Sequence, residues 1–335
     1  MSAPPATRVI KAQAARDGAP EGGAAAALAA RVLAAGGLVA FPTETVYGLG
    51  ADATNAEAVA RLYEAKGRPS FNPLIAHVTD AAAARALARL DPAAERLAAA
   101  FWPGPLTLVL PRRSDCPVAE LATAGLDTIA VRVPSHPVAR DILAAVGRPL
   151  VAPSANRSGH VSPTSAQHVL ADLCGRIELI VDGGSTPMGL ESTIVACLHP
   201  AVLLRPGALP RAQIERVVHL GEPTSTHADA APVAPGQLAS HYAPRARLRL
   251  HAQNVQTGEA LLAFGPVAPE GAERAALVLN LSARGDLIEA AANLFSHLRA
   301  LDAAGAATIA VMPVPHAGLG EAINDRLARA AAPRA

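Results

Sequence analysis

One stretch constrains this chain more than any other: GLVAFPTETVYGLGADATNAEAVARLYEAKGRPSFNPLIAH, from Gly37 to His77. It opens with an apolar strand, Leu38 to Phe41, that breaks at Pro42. A run of hydroxyls follows at Thr43, Thr45 and Tyr47, closed by Gly48 and Gly50. Proline and paired glycines are turn signals, and glycine lets the backbone approach a ligand closely. The next segment reads as a helix, capped at Thr54 or Asn55, with Val59, Leu62 and Tyr63 on its apolar face. Lys66-Gly67-Arg68-Pro69 ends it, and Asn72-Pro73-Leu74 leads into a strand ending at His77. A strand–turn–helix–turn–strand unit thus gathers hydroxyls, a lysine, an arginine, an amide and an imidazole.

The lysine stands out against the composition. The chain has 29 Lys+Arg, yet lysine occurs only at Lys11 and Lys66. Such an Arg and Ala bias is what a GC-rich coding sequence gives. Lys66 beside Arg68 suits a site that combines a compact point charge with a planar fork. It equally suits a solvated helix C-terminus, where cations complement the dipole.

The length of 335 residues predicts about two domains. With 51% hydrophobic and 17% charged residues, the chain can bury a sizeable core, and with 3% aromatics that core is Ala, Leu and Val. A formal net charge of +1 argues against a globally basic nucleic-acid binder. Cys116, Cys174 and Cys197 form no CxxC pair, which fits a reducing cytosol and neither a disulfide framework nor a zinc site. Apolar runs stay below the ~20 residues of a membrane helix. The basic residues Arg8, Lys11 and Arg16 faintly suggest a targeting segment, against which stand Asp17, Glu21 and two early prolines.

Along the chain, strands and helices alternate. Residues 1–23 read as an arm with a short strand at Arg8 to Ile10, and Ala24 to Ala35 as the first helix. Helices follow at Ala82 to Leu90 and after the Asp91 cap with Pro92 at its first position. Trp102-Pro103-Gly104-Pro105 turns into the strand Leu106 to Leu110. DTIAVRV, Asp127 to Val133, alternates as a strand. Pro137 to Val146 is a helix, and the strand Pro149 to Ala152 delivers the polar loop Pro153 to Gly159. Thr164 to Leu173 is a helix, Ile177 to Val181 and Ile194 to Cys197 are strands, and Pro210 to Val218 is a helix. Such alternation, with polar loops after apolar strands, predicts a layered α/β domain.

Gly221 to Pro244 loses apolar periodicity and reads as a linker, although it carries SHYAP, with one of three tyrosines. Strands then recur at Arg247 to His251, Leu261 to Phe264, Ala276 to Leu279 and Thr308 to Met312. The helix Asp286 to Leu301 aligns Leu287, Ala291, Leu294, Leu298 and Leu301, and Leu319 to Ala331 turns Ile323, Leu327 and Ala330 inward. This is a second, smaller α/β domain.

GxxxxGK[ST], a full GxGxxG, HExxH and GxSxG are all absent, and no nucleophile–base pair stands out. The first domain offers cations with small hydroxyls and amides: Lys66, Arg68, Arg132 and Arg205, with Asn72, Ser154, Asn156 and Ser162. That inventory suits a polyanion such as a nucleoside triphosphate, held by charge-assisted bonds, with catalysis by positioning and charge stabilisation.

PTETVYGLG, KGRP with NPL and His77, PSANRSG, and ESTIV followed by LRPG resemble the YrdC-type threonylcarbamoyl-AMP synthase family over nearly the whole chain. SHYAP and LGEAINDRLARAA resemble its long, two-domain form. The resemblance implies a twisted mixed-sheet YrdC-like α/β domain, 24–220, then the linker 221–244 and an open-sheet, Rossmann-like α/β domain, 245–335. It implies condensation of L-threonine, bicarbonate or CO2, and ATP to threonylcarbamoyl-AMP and pyrophosphate. Mg2+ would travel with ATP and need no dedicated protein site. The product would pass in the cytoplasm to threonylcarbamoyl transferase proteins that modify tRNA, so contact with tRNA itself would be indirect. The family's Lys-Arg-Ser-Asn tetrad falls on Lys66, Arg68, Ser154 and Asn156. By similarity, ATP contacts fall also on Asn72, Thr128, Ser162, Arg205 and Tyr242, with Lys66 and Arg68 catalytic. Threonine contacts fall on Thr45, His77, Arg132, the main chain at Ala152, and Ser192. Arg132 would fork onto the threonine carboxylate, and Tyr242 would fold over the pocket. Two other readings are a carbamoyl-adenylate former of hydrogenase maturation, which shares this domain, and an RNA-binding module using a basic concave face.

Overall fold

The computed structural model describes residues 6–12, 23–222 and 241–333. The rest of the expected arm and linker, including Pro235 to Ser240, lies outside the described residues. The expected α/β architecture with two sheets is what the chain forms. The first sheet has ten strands in the spatial order Arg8–Lys11, Leu179–Asp182, Val39–Pro42, Tyr47–Asp52, Leu150–Val151, Ile75–His77, Thr128–Arg132, Leu106–Pro111, Thr193–Cys197 and Ala201–Arg205. Parallel and antiparallel pairings are mixed. The second sheet is wholly parallel, in the order Arg247–Arg249, Thr308–Val311, Ala260–Ala263 and Val278–Asn280.

The organising stretch differs from its expected form in one respect. The segment read as a hydroxyl turn is a hairpin: Val39–Pro42 pairs antiparallel with Tyr47–Asp52, and the turn is confined to Thr43–Val46. The Thr43 hydroxyl closes that turn, donating to the Val46 carbonyl at 2.7 Å. Gly48 and Gly50 are strand residues. A Cβ on Gly50 would lie 2.6 Å from the Phe41 ring, and one on Gly48 would lie 3.3 Å from Ala152 Cβ. These glycines let neighbouring strands and side chains close in, which is the other meaning of glycine in a strand. The helix Ala56–Lys66 is capped by Asn55, whose side chain accepts from the amides of Glu57 and Ala58, and Gly67 ends it at φ 60°. Expected helix ends shift slightly, as at Ala81–Leu87 and Ala166–Leu173, where Asp80 and Ser165 are the caps.

The two domains share a core. Val46, Val161 and Leu190 from the first pack with Tyr242 and with Ala291, Leu294, Phe295 and Leu298 of the helix Leu287–Ala303. Gly189 sits at φ 69°, where a Cβ would lie 2.4 Å from the Ala291 carbonyl oxygen. Ion pairs Arg299–Asp172 at 2.9 Å and Arg211–Glu321 at 2.6 Å flank this seam.

Gly189→Ala should therefore separate packing from backbone strain. Gly67 has φ 60° with nothing within 4 Å of a built Cβ, so Gly67→Ala should cost only the ~1–2 kcal/mol of a left-handed L-residue. Gly189→Ala adds a backbone clash across the domain seam and should lower the calorimetric melting temperature distinctly more. Equal shifts for the two variants would show that the seam does not depend on Gly189.

Candidate active site

Strand register lays the site out as a line with two ends. Ile75–His77 runs parallel to Thr128–Arg132, with Ile75 opposite Ala130 and His77 opposite Arg132. Thr128 therefore lies beside the Asn72-Pro73 turn, roughly 13 Å from Arg132 along the strand. Arg68 belongs to the Thr128 end: its Nε donates to the Asn72 carbonyl at 3.3 Å and its Nη2 to the Pro73 carbonyl at 3.0 Å. At the other end Thr107 pairs with Arg132, and its hydroxyl lies 2.8 Å from that of Ser192. Arg205 Nη2 donates to the Ser192 carbonyl at 2.8 Å and to its hydroxyl at 3.2 Å.

A cavity of about 50 Å³ joins the two ends. Thr45, Arg68, His77, Arg132, Ala152, Ser154, Ser192, Arg205 and Tyr242 line it, nine of the fourteen residues expected at the site. Lys66, Asn72, Thr128, Asn156 and Ser162 stand behind or beside its wall. A cleft of about 900 Å³ lies outside, between Ser158–His160 and Arg299–Ala303. There Asp172 takes Arg299 and lies 3.6 Å from His160, and Asp302 takes Arg245. The larger space has its charges matched, whereas the small cavity concentrates cations.

Lys66 is fully buried, and its ammonium donates to the carbonyls of Ser154 and Asn156. Through these bonds Lys66 holds the loop that carries Ser154 and Asn156. Burial first, and then the Arg68 charge, push its pKa well below the ordinary lysine value. Burial likewise brings Arg68 down to about 10. The Asn156 amide donates to the carbonyls of Arg157 at 2.9 Å and His160 at 2.8 Å. Its Oδ1 and that of Asn72 are buried without a hydrogen-bond partner among the described residues.

At the other end Glu44, a residue that the sequence reading passed over, holds Arg132 at 2.7 Å. Its second oxygen accepts from the Ser135 amide at 3.1 Å. Burial alone would raise the Glu44 pKa, but the Arg132 charge and these bonds hold it below the usual carboxylate value. The Arg132 fork is therefore already committed on one tine. His77 Nδ1 lies 3.1 Å from the Ile75 carbonyl, which can only accept, so that nitrogen carries the proton and Nε2 is left as an acceptor. Burial and the neighbouring Arg132 pull His77 down to about 3, so its ring is neutral.

Glu191 is the second acid missed, and it lines the cavity. The Ser162 hydroxyl donates to one of its oxygens, and Arg326 of the second domain donates to the other at 2.9 Å. Arg326 is fully buried, and its guanidinium carbon lies 5.2 Å from the centroid of the Tyr242 ring. That ring stacks on Phe295 at 5.6 Å and meets His241 edge-on at 4.0 Å.

Known proteins bear on this geometry. Residues 31–207 match the family described as telomere recombination, and residues 209–332 match the one described as threonylcarbamoyl-AMP synthase, C-terminal domain. A threonylcarbamoyl-AMP synthase of Bacillus subtilis is 42% identical over 324 residues, 92% of this chain and 93% of that protein. The chain belongs to the threonylcarbamoyl-AMP synthase family. A Pyrococcus abyssi synthase is 44% identical, covering 90% of this chain and 93% of its own length. The crystal structure of P. abyssi Sua5 complexed with L-threonine superposes with a TM-score of 0.84 at 39% identity over 97% of each chain. Membership places this chain among two-domain nucleotidyl-transfer enzymes, and the RNA-module and hydrogenase-maturation readings give way to it. In this synthase-family chain, the second domain reaches the cavity wall through Arg326.

Two outcomes follow from the acid–base geometry. Glu44→Gln should cost about 3–5 kcal/mol by stranding a buried guanidinium. Because the folded pKa of Glu44 is depressed, the pair's stabilisation is present above the ordinary carboxylate range and is lost as pH falls through the folded value. Urea unfolding at stepped pH should thus show a shallower acid decline in the variant, and an unchanged one would remove the pair from the stability of the fold. In NMR titrations the His77 ring signals should stay flat between pH 5 and 8; an inflection there would mean that its Nε2 is not a standing acceptor.

Proposed function

We propose that this chain condenses L-threonine, bicarbonate or CO2, and ATP into threonylcarbamoyl-AMP and pyrophosphate. The observation that carries this reading is the cavity: three guanidinia, Arg68, Arg132 and Arg205, converge with hydroxyls and a neutral imidazole on its wall. Family membership adds the reaction class, and the threonine-complexed P. abyssi protein adds the amino acid.

The threonine amine attacks CO2, forming the N–C bond and releasing a proton, and gives a carbamate. A carbamate oxygen then attacks the α-phosphorus of ATP, and the bond from that phosphorus to the β-bridging oxygen breaks, releasing pyrophosphate. Arg68 and Arg205 suit the charge on the phosphates, and the Arg132 tine not held by Glu44 suits the threonine carboxylate. His77 Nε2 suits an N–H or O–H of threonine, with the hydroxyls of Thr45 and Ser192 nearby on the same wall. The unpartnered amide oxygens of Asn72 and Asn156 suit donors on the nucleoside. Mg2+ would arrive on the triphosphate, since the acids next to the cavity, Glu44 and Glu191, are taken by arginines.

A cavity of about 50 Å³ is far below the ~300–1,000 Å³ of small-molecule sites. Both substrates enter only if His241 and Tyr242 move off the cavity. The product is expected to feed tRNA threonylcarbamoylation through separate transfer proteins in the cytoplasm. Among the described residues no helix is long and apolar enough to cross a membrane.

Mass spectrometry of products from ATP, threonine and bicarbonate tests the reaction. Pyrophosphate release should require threonine and bicarbonate together. Arg68→Ala should lower the rate ~10²–10³-fold, as loss of a charge-stabilising donor does. Serine should be a poorer substrate than threonine by the ~1–3 kcal/mol of a methyl, and valine poorer still because it leaves polar partners unpaired. Valine outperforming serine would remove Thr45, His77 and Ser192 from threonine recognition.

A further inference from the structure

Arg326 is a costly choice for a domain seam. It is fully buried, and an apolar side chain would dock two domains without desolvating a charge. What it faces explains the choice. Glu191 lies on the cavity wall, and Arg326 Nε donates to its Oε2 at 2.9 Å. The charged and titratable groups around that acid are Arg326 and Asp325 from the second domain, Arg205 from the first, and the Tyr242 phenol from the segment between them. The Ser162 hydroxyl occupies the other carboxylate oxygen. Without Arg326, only Arg205 would counter the Glu191 charge, and the wall would present a poorly balanced carboxylate to whatever anion enters.

We propose that Arg326 is a positioning residue for the nucleotide site: it neutralises Glu191 on the cavity wall and so makes ATP binding depend on a docked second domain. This rests on the reading that the cavity receives ATP. The first domain carries the phosphate-binding cations, Arg68 and Arg205, but also an acid that opposes them. The second domain supplies the charge that silences the acid. Its last helix, Leu319–Ala331, therefore belongs to the electrostatics of the site and not only to its support.

Calorimetric titration of the full chain with ATP tests the proposal without reading turnover. At pH 8, R326M should raise the ATP Kd by about tenfold or more, since like charges now meet across the cavity. Lowering the pH toward 5 should restore much of that affinity, because a buried acid without a partner takes up a proton more readily. E191Q/R326M, which buries no unpaired charge, should bind ATP within about threefold of the unmodified chain, and R326K should do the same. E191Q alone should bind at least as tightly as the unmodified chain, because Arg326 keeps Asp325 as a counter-ion at 2.5 Å, and this comparison stands even where R326M fails to fold. An unchanged Kd in folded R326M, a double variant as weak as R326M, or E191Q weaker by tenfold would overturn the proposal. ATP binding with the expected pattern but no threonylcarbamoyl-AMP would overturn the reaction and leave this coupling standing.

Discussion

The site depends on pairing each interior acid with an arginine. Glu44 is held by Arg132 and Glu191 by Arg326, all four side chains nearly excluded from water. In such surroundings breaking a pair by removing one member costs about 3–5 kcal/mol, so each pair fixes the elements that bear it. The first ties the hairpin turn to the strand Thr128–Arg132, and the second ties the strand entry at Glu191 to the last helix of the chain. What remains on the cavity wall is a surplus of guanidinia, with Arg68 and Arg205 donating to main-chain carbonyls. A carbonyl gives up such a donor to a phosphate oxygen at low cost, which suits a ground state waiting for an anion.

Much of the fold was legible because local rules agreed with tertiary ones. Asn55 and Asp91 cap helices as their spacing predicts, and the apolar faces of the second domain's two long helices are the buried ones. The hairpin was misread because glycine has two meanings. At Gly48 and Gly50 the cause is side-chain crowding from Phe41 and Ala152, which no local pattern reveals. The acids Glu44 and Glu191 were passed over because their partners lie 88 and 135 residues away. Arg326 did leave a signal: it falls on the inward stripe of Ile323, Leu327 and Ala330, where a charge needs a buried counterpart.

The segment at His241 and Tyr242 behaves as part of the core in this state. Tyr242 adopts φ 61°, a backbone region that L-residues leave unless packing holds them there. Phe295 beneath the ring and Arg326 above it supply that packing, yet the phenol oxygen has no partner among the described residues. The main chain on either side is tied, His241 N–H to the Arg329 carbonyl at 3.2 Å and Ala243 N–H to the Gly159 carbonyl at 2.8 Å, so the ring with its unmet hydroxyl is the part that a ligand can draw into a better-satisfied arrangement.

Lys66 has a different kind of consequence. Its ammonium sits where two carbonyls converge, those of Ser154 and Asn156. A tetrahedral donor at the end of a slim stem fits there; a flat guanidinium is broader and would push the two carbonyls apart. The chain has otherwise replaced nearly every lysine with arginine, keeping two among 29 basic residues. The rare lysine at position 66 coincides in the one-dimensional sequence with a three-dimensional feature, two converging carbonyls presented by a loop almost ninety residues away.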